Sequence, residues 1–464
     1  MEFTTSTPPL PGAGTGFSVV VVERVLREAD ALGLCDAWAQ LPLGHPSQRR
    51  TAYRPEQRVA ALLAGLAAGL KGIAPGNTTL RPNTALRARL GGRFPDQGTI
   101  HRWLDGVTAP QAAAVRDHLH QVAHSHGRFW EVLYAGHYLM VDIDGQGLVA
   151  RGTHFEQTAV GHLGEGIDRG YQRYVAYAAD THEVLDEFLA PGNRTLMSQL
   201  PDVLAGLDAI LPRADRRRVI LRVDAHGGTI ANVRAMRQHG YHYLCPLLSW
   251  AAVKRLREHL QDKRGGWFEE TDSKGRVHRV QFWVLPRWRL SGRGKHNTLF
   301  TRATVYRERR PDGKREWQVL LTDLKREKGR RLWQRYHERG GTIEEYNDQS
   351  ERAYHLEVVR TGHFDGLNAL HSLIGLCWNL TRWALEHLRL PPVQSPTAAA
   401  ASWVAAVALD LASVQQRAAQ CGLRLYRGGP GAILEVEDTA NTAESAAWCR
   451  WLKQPIQLRL RLAG

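Results

Sequence analysis

Three short segments far apart in the chain each place an acid where metal-dependent phosphoryl transfer would use one. They are Leu139-Met-Val-Asp-Ile-Asp144, Val219-Ile-Leu-Arg-Val-Asp224 and Thr342-Ile-Glu344. The first two are apolar β-type runs that end in aspartate. The third is a glutamate at the start of a predicted helix, just after an Arg-Gly-Gly turn. Carboxylate oxygen suits hard divalent cations. Two such ions held by three acids can activate a water or hydroxyl and stabilise the leaving oxygen of a phosphodiester. Asp142 and Asp144 share a strand face because alternate residues point the same way. Either could be the ligand; Asp144, at the strand end, is preferred, with Asp142 as a supporting or capping carboxylate. Glu344 and Glu345 pose the same choice, with Glu344 preferred and Glu345 behind it.

Other chemistries have less to stand on. His226 lies close to Asp224, but a histidine in a Gly-rich turn reads first as a surface residue. Gly145-Gln-Gly147 and Gly227-Gly228 lack the lysine and the context of a nucleotide loop. No Ser/His/Asp or Cys/His set stands out. Cysteines 35, 245, 377, 421 and 449 are scattered, with no Cys-x-x-Cys pair, which argues against a zinc ribbon or a disulfide framework and for a reducing compartment.

The elements that must position the acids follow from pattern. Tyr138 to Ile143 is a predicted strand. Tyr174-Val-Ala-Tyr-Ala-Ala and Val184-Leu-Asp-Glu-Phe-Leu flank Asp180-Thr-His182 as a hairpin. Leu196, Leu200, Val203, Leu204, Leu207 and Ile210 make an amphipathic helix, and Val219 to Val223 the next strand. Strand, hairpin, helix, strand, with acids at the ends of the first and last strands, is the layout of a ribonuclease-H-like α/β core. The interval from Asp224 to Glu344 is too long for a simple connection. Its strand-rich stretches, with turns at Ser273-Lys-Gly275 and Pro311-Asp-Gly313, predict an inserted β-domain.

The expected organisation is a disordered 1–16, a helical DNA-binding region over 17–130, a first core part over 131–246 and the β-rich insertion over 247–330. A second core part with the glutamate covers 331–390, and a C-terminal region 391–464 holds an Ala-rich helix and a hairpin over Leu423 to Glu437. Val59 to Leu70 reads as a buried helix. Pro95-Asp-Gln-Gly-Thr-Ile-His-Arg-Trp-Leu104 reads equally as part of a helix-turn-helix unit or as an ordinary capped helix.

Charge points to the partner. In 464 residues, 61 Lys and Arg oppose 46 Asp and Glu, a formal net charge of +15 and a pI of about 9.9. Such an excess suits a polyanion, because each neutralised phosphate releases condensed counterions. Basic clusters such as Arg49 to Arg54, Arg302 to Arg315 and Lys325 to Arg335 are interleaved with acids and aromatics, as on a folded surface. In the insertion Trp267, Trp283, Trp288 and Trp317 lie among arginines, where one could stack an unpaired base. The start lacks the regions of a signal peptide, and the apolar runs are too short to span a bilayer. A cytoplasmic, nucleoid-associated protein without membrane attachment is expected.

These features together resemble the DDE transposases of bacterial insertion sequences, in the group with a β-strand insertion before the catalytic glutamate. The resemblance runs through Val141-Asp-Ile-Asp144, Gly170-Tyr-Gln-Arg-Tyr-Val175, Ala190-Pro-Gly-Asn193, Leu221-Arg-Val-Asp224, and Tyr336-His-Glu-Arg339 through Ile343-Glu344. The family signature is Tyr-x2-Arg-x3-Glu-x6-Lys. Tyr336 and Arg339 match it, Glu344 lies one residue further on, and Glu351 holds the lysine position with Arg352 as the nearest cation. Gln146 stands where the family usually has threonine, and Ala225-His226-Gly227 replaces its small-Gly-Phe turn.

The resemblance implies Asp144, Asp224 and Glu344 as catalytic and metal-binding residues. It implies two Mg2+ ions, with Mn2+ as a substitute, and DNA contacts from Tyr336, Arg339 and Arg352. It also implies double-stranded DNA as partner (terminal inverted repeats and target), a homodimer in the synaptic complex, and cut-and-paste transposition through a hairpin. A decayed or domesticated DNA-binding relative and a general metal-dependent nuclease are the alternative readings.

Overall fold

The computed structural model describes residues 19–43, 53–164, 166–271, 277–291, 298–309, 315–386, 388–390, 404–405, 410–420, 423–426, 435–438, 440 and 442–454. The expected disordered start, the turns at 273–275 and 311–313, the tip at 428–431 and most of the Arg49 to Arg54 cluster lie outside these residues. Contacts group the chain into two compact units. One comprises Met1–Leu119, Val149–Thr158 and Asn347–Gly464; the other comprises His120–Leu148 and Ala159–Tyr346.

The second unit is built on a ten-stranded sheet. Its strands are β1 (Leu139–Val149), β2 (Ala159–Leu163), β3 (Gly166–Ala178), β4 (Glu183–Pro191), β5 (Val219–Val223) and β6 (His242–Pro246), then β7 (Gly266–Thr271), β8 (Val277–Ser291), β9 (Thr298–Arg309) and β10 (Arg315–Thr322). The order is β2-β3-β1-β5-β6-β10-β9-β8-β7, with β4 also paired to β3. β1, β5 and β6 run parallel at the centre. The β3–β4 hairpin and the helix Leu196–Ile210 occur where the sequence pattern puts them.

Alternation gives the sheet its two faces. Leu139, Val141, Ile143, Val219, Leu221 and Val223 enter one apolar core, closed by Leu200, Val203, Leu204, Leu207 and Ile210 of the Leu196–Ile210 helix. Met140 and Ile220 face the other way, into a second core with Leu244, Leu320, Leu332 and Trp333. The helix Gly329–His337 supplies the last two of these.

The strand-rich stretch expected as an inserted β-domain lies in the chain between the second and third acids and continues this sheet. β10 pairs antiparallel with β6, and β9, β8 and β7 follow outward. The physical reason is an open edge: β6 would leave its backbone groups unpaired, and β10 satisfies them. Trp283 and Trp317 stack with centroids 5.5 Å apart, and the Arg307 guanidinium lies 5.6 Å from each ring. They therefore pack within the extension, whereas Trp267 stands 60% exposed.

The first unit is mainly helical. The apolar Val59 to Leu70 run forms the helix Pro55–Ala67, and the 22-residue Phe364–Leu385 helix is buried along almost its whole length. Gly366 permits that packing, because a Cβ there would lie 2.0 Å from the Leu104 carbonyl oxygen. Helix Gln97–Asp105 is capped by Asp96, whose side chain accepts from the Thr99 amide at 2.7 Å. Val404–Ala405, inside the stretch read as an Ala-rich helix, pairs with Arg389–Leu390 as a short β-ladder. The expected hairpin is present as Leu423–Tyr426 against Glu435–Asp438. No described helix is long and apolar enough to cross a membrane.

Candidate active site

Register brings the two aspartates together. β1 and β5 pair in parallel, with Asp142 opposite Arg222 and Ile143 opposite Val223. One residue past this paired stretch, Asp144 in the middle of β1 and Asp224 just after β5 lie on neighbouring strands, on the face that carries the Gly329–His337 helix. Each is partly exposed, with side-chain accessibilities of 20% and 34%. Burial pushes the Asp144 carboxyl above its usual range; the Arg339 guanidinium works against that rise, and the Asp224 charge adds to it. Asp224 also ends its strand, its Oδ1 accepting from the Gly227 amide at 3.2 Å, and His226 Nδ1 lies 3.2 Å from Oδ2. Gly228 makes this turn possible, since a Cβ there would lie 1.9 Å from the Pro246 carbonyl oxygen.

The structure separates Asp142 from Asp144 by environment. Asp142 is fully buried and bidentate with Arg222, at 2.5 Å from Nε and 2.7 Å from Nη2. The Thr342 hydroxyl donates to Asp142 Oδ2, and Arg222 Nη1 donates to the Arg335 carbonyl. Both oxygens of Asp142 are thus engaged in fastening the segment before the third acid to the sheet. At Asp144, Arg339 Nη2 donates to Oδ1 at 2.8 Å and to the Ile143 carbonyl at 2.9 Å.

Glu344 sits in the first turn of the helix Ile343–Tyr354. Ile343 and Tyr346 of that helix are buried, and Glu344 and Glu345 are exposed. The Glu344 carboxylate leans back over the preceding turn, because a Cβ on Gly340 would lie 3.6 Å from its Oε2. Arg339, in that same turn, is buried, and its Nε finds no acceptor among the described residues. Tyr336 is half-buried near the same acids, its phenol pushed up to about 12 by burial. Arg352 belongs to the other unit and pairs there with Asp348 at 2.6 Å and Asp410 at 3.0 Å.

The donor set is all carboxylate, which suits a hard divalent cation. As the side chains stand, Asp144 is turned to Arg339, and no three His, Cys, Asp or Glu groups among the described residues converge on one point. Asp144 and Asp224 share a sheet face and fit a cation by the chemistry of their carboxylates, and Glu344 is carried on a helix pinned to that face. Sequence reading passed over Arg222, Arg173 and Glu187. The signal was present: each is a charged residue inside an otherwise apolar strand, where only a partner on the same face makes burial tolerable.

A cryo-EM structure of the piggyBac transposase synaptic complex with hairpin DNA is similar at 11% identity and a TM-score of 0.40, over 78% of this chain and 71% of that one. Nothing among curated proteins matches. The family model described as transposase DDE domain group 1 matches residues 21–365, which include all three acids. The chain belongs to that family of transposases.

Proposed function

We propose that this transposase binds the inverted-repeat ends of its element and carries out metal-dependent strand cleavage and strand transfer, with Asp144, Asp224 and Glu344 as the catalytic acids. One observation carries the reading. One aspartate in the middle of β1 and one at the end of the parallel β5 share a sheet face, and the helix bearing the glutamate is fastened to that face through Thr342 and Asp142. When bound, a pair of Mg2+ ions, with Mn2+ as a substitute, would supply activation of the nucleophile and stabilisation of the leaving oxygen.

The residues of the chain supply position and charge. Arg339 holds Asp144 in place on β1, and it is a cation for the DNA backbone, since an arginine fork suits phosphate well. Tyr336 stays protonated and can donate to DNA beside it. Arg352 is a further cation for the DNA backbone, and Glu345 supports Glu344. In the first step water adds to phosphorus as the 3′ oxygen leaves with a proton. In the next, that 3′-hydroxyl attacks the opposite strand, giving a hairpin and freeing the other end. Hydrolysis of the hairpin and attack on target DNA repeat the same exchange of one P–O bond for another, so one site serves all four steps. Two copies of the chain would hold the two ends in a synaptic dimer, acting on cytoplasmic, nucleoid-associated DNA.

The test is end-specific cleavage. Full-length protein with Mg2+ should nick and join DNA bearing the element's ends and leave unrelated DNA intact, and its binding should weaken steeply with salt. Equal cutting of any duplex would favour a general nuclease, and binding without cutting would favour a decayed relative.

A further inference from the structure

Beneath the rim lies a buried cluster that touches the neighbourhoods of two acids at once. Arg173 of β3 is 2% exposed and pairs with the fully buried Glu187 of β4, Nε to Oε1 at 2.8 Å. Its Nη1 donates to Gln146 Oε1 at 2.9 Å, and its Nη2 donates to the Tyr346 hydroxyl at 2.7 Å. That hydroxyl in turn donates to Glu187 Oε2 at 2.6 Å. The Tyr346 ring stacks on Tyr177 with centroids 5.0 Å apart.

The two ends of this fork are placed tellingly. Gln146 is two residues past Asp144 on the same strand and so shares its face. Tyr346 is two residues past Glu344 on the helix, roughly 200° around its axis, so anchoring Tyr346 inward turns Glu344 outward. A buried ion pair is seldom a better stabiliser than apolar packing. Its presence here calls for a geometric reason, and a planar guanidinium with three fixed donor directions supplies one.

We propose that Arg173, oriented by Glu187, is a positioning residue that fixes the separation of the first and third acids by gripping Gln146 and Tyr346 together. The proposal rests on Asp144 and Glu344 being the cation-holding acids. It also gives Gln146 a role: its side chain reaches Arg173, which a shorter threonine at that position would not do in the same way.

The test uses the full-length protein and Mn2+ as probe, with the free ion followed by its paramagnetic resonance signal and cleavage measured against Mn2+ concentration. Tyr346→Phe keeps the ring and loses the hydroxyl; Gln146→Leu loses the other tie. Each should weaken Mn2+ binding about tenfold, the scale of lost support behind a metal ligand. The Mn2+ concentration for half-maximal cleavage should rise in parallel, and the fold should survive. Arg173→Lys, which keeps the charge and loses the fork, should fail to rescue. If Tyr346→Phe and Gln146→Leu bind Mn2+ as the wild type does while Asp144→Asn loses it, the positioning role is overturned and the assignment of the acids stands. If Asp144→Asn itself binds Mn2+ normally, the assignment fails and the inference goes with it.

Discussion

Asp142 and Asp144 are two residues apart on one strand face, yet one is sealed and the other is at the rim. Asp142 has both oxygens occupied by Arg222 and Thr342 and no exposure. Asp144 has one cation on one oxygen, a second carboxylate beside it and partial exposure. The same contrast holds between the buried Glu187 and the exposed Glu344. Residue type says nothing about which carboxylate does chemistry. The difference is whether the carboxylate is sealed from solvent. In this unit the sealed acids tie the sheet to the third-acid helix, and the exposed ones, Asp144 within β1, Asp224 after β5 and Glu344 in the first turn of its helix, lie where cations and phosphates can reach them.

Substitutions can break or sharpen this contrast. The largest effect is expected at the rim. Asp144→Asn, Asp224→Asn and Glu344→Gln should each lower cleavage about a thousandfold, or about 4 kcal/mol of transition-state stabilisation, with DNA binding and melting temperature retained. A rim variant that unfolds instead would erase the distinction. Next comes the sealed pair: Asp142→Asn or Arg222→Met should cost about 3–5 kcal/mol in denaturant unfolding by stranding a buried charge. The double variant Asp142→Leu/Arg222→Met should recover much of that loss while still cutting poorly, because Thr342 has lost its acceptor.

Thr342→Val removes one buried hydrogen bond and should cost about 1 kcal/mol by the same measurement, with a disproportionate loss of cleavage. The mildest case is a carboxylate that only caps. Asp96→Ala should cost about 1 kcal/mol of stability. The Thr99 amide holds the Asp96 carboxyl below its usual range. Its contribution is therefore present in full above the unfolded pKa of about 3.9 and fades as pH falls through the lower folded value. Wild type and Asp96→Ala should converge in acid, and a gap that persists there would show the cap to be uncharged.

Much of this arrangement was readable from the chain. The strands carrying Asp144 and Asp224, the hairpin between them and the Leu196–Ile210 helix follow from local apolar periodicity, which survives folding because it is what the core buries, though the first strand runs to Val149 rather than stopping at Ile143. Two things were not readable. The stretch from β7 to β10 carries a strand pattern whether it closes on itself or extends a neighbour's sheet, and only pairing with β6 decides between them. The tie from Arg173 to Gln146 and Tyr346 joins residues far apart in sequence through side-chain length and direction, which spacing does not encode. The acids themselves were visible because each closes an apolar run or opens a helix in the sequence, although β1 continues past Asp144 to Val149; the arginines beside them were hidden inside apolar runs.

The central claim is that Asp144 and its partners hold divalent cations. Asp144→Cys tests it most directly, because the softer thiolate accepts Mn2+ more readily than Mg2+. End cleavage by this variant should be lost in Mg2+ and return in Mn2+. Cleavage in Mg2+ at the wild-type rate would show that no cation rests on Asp144 and would contradict the account.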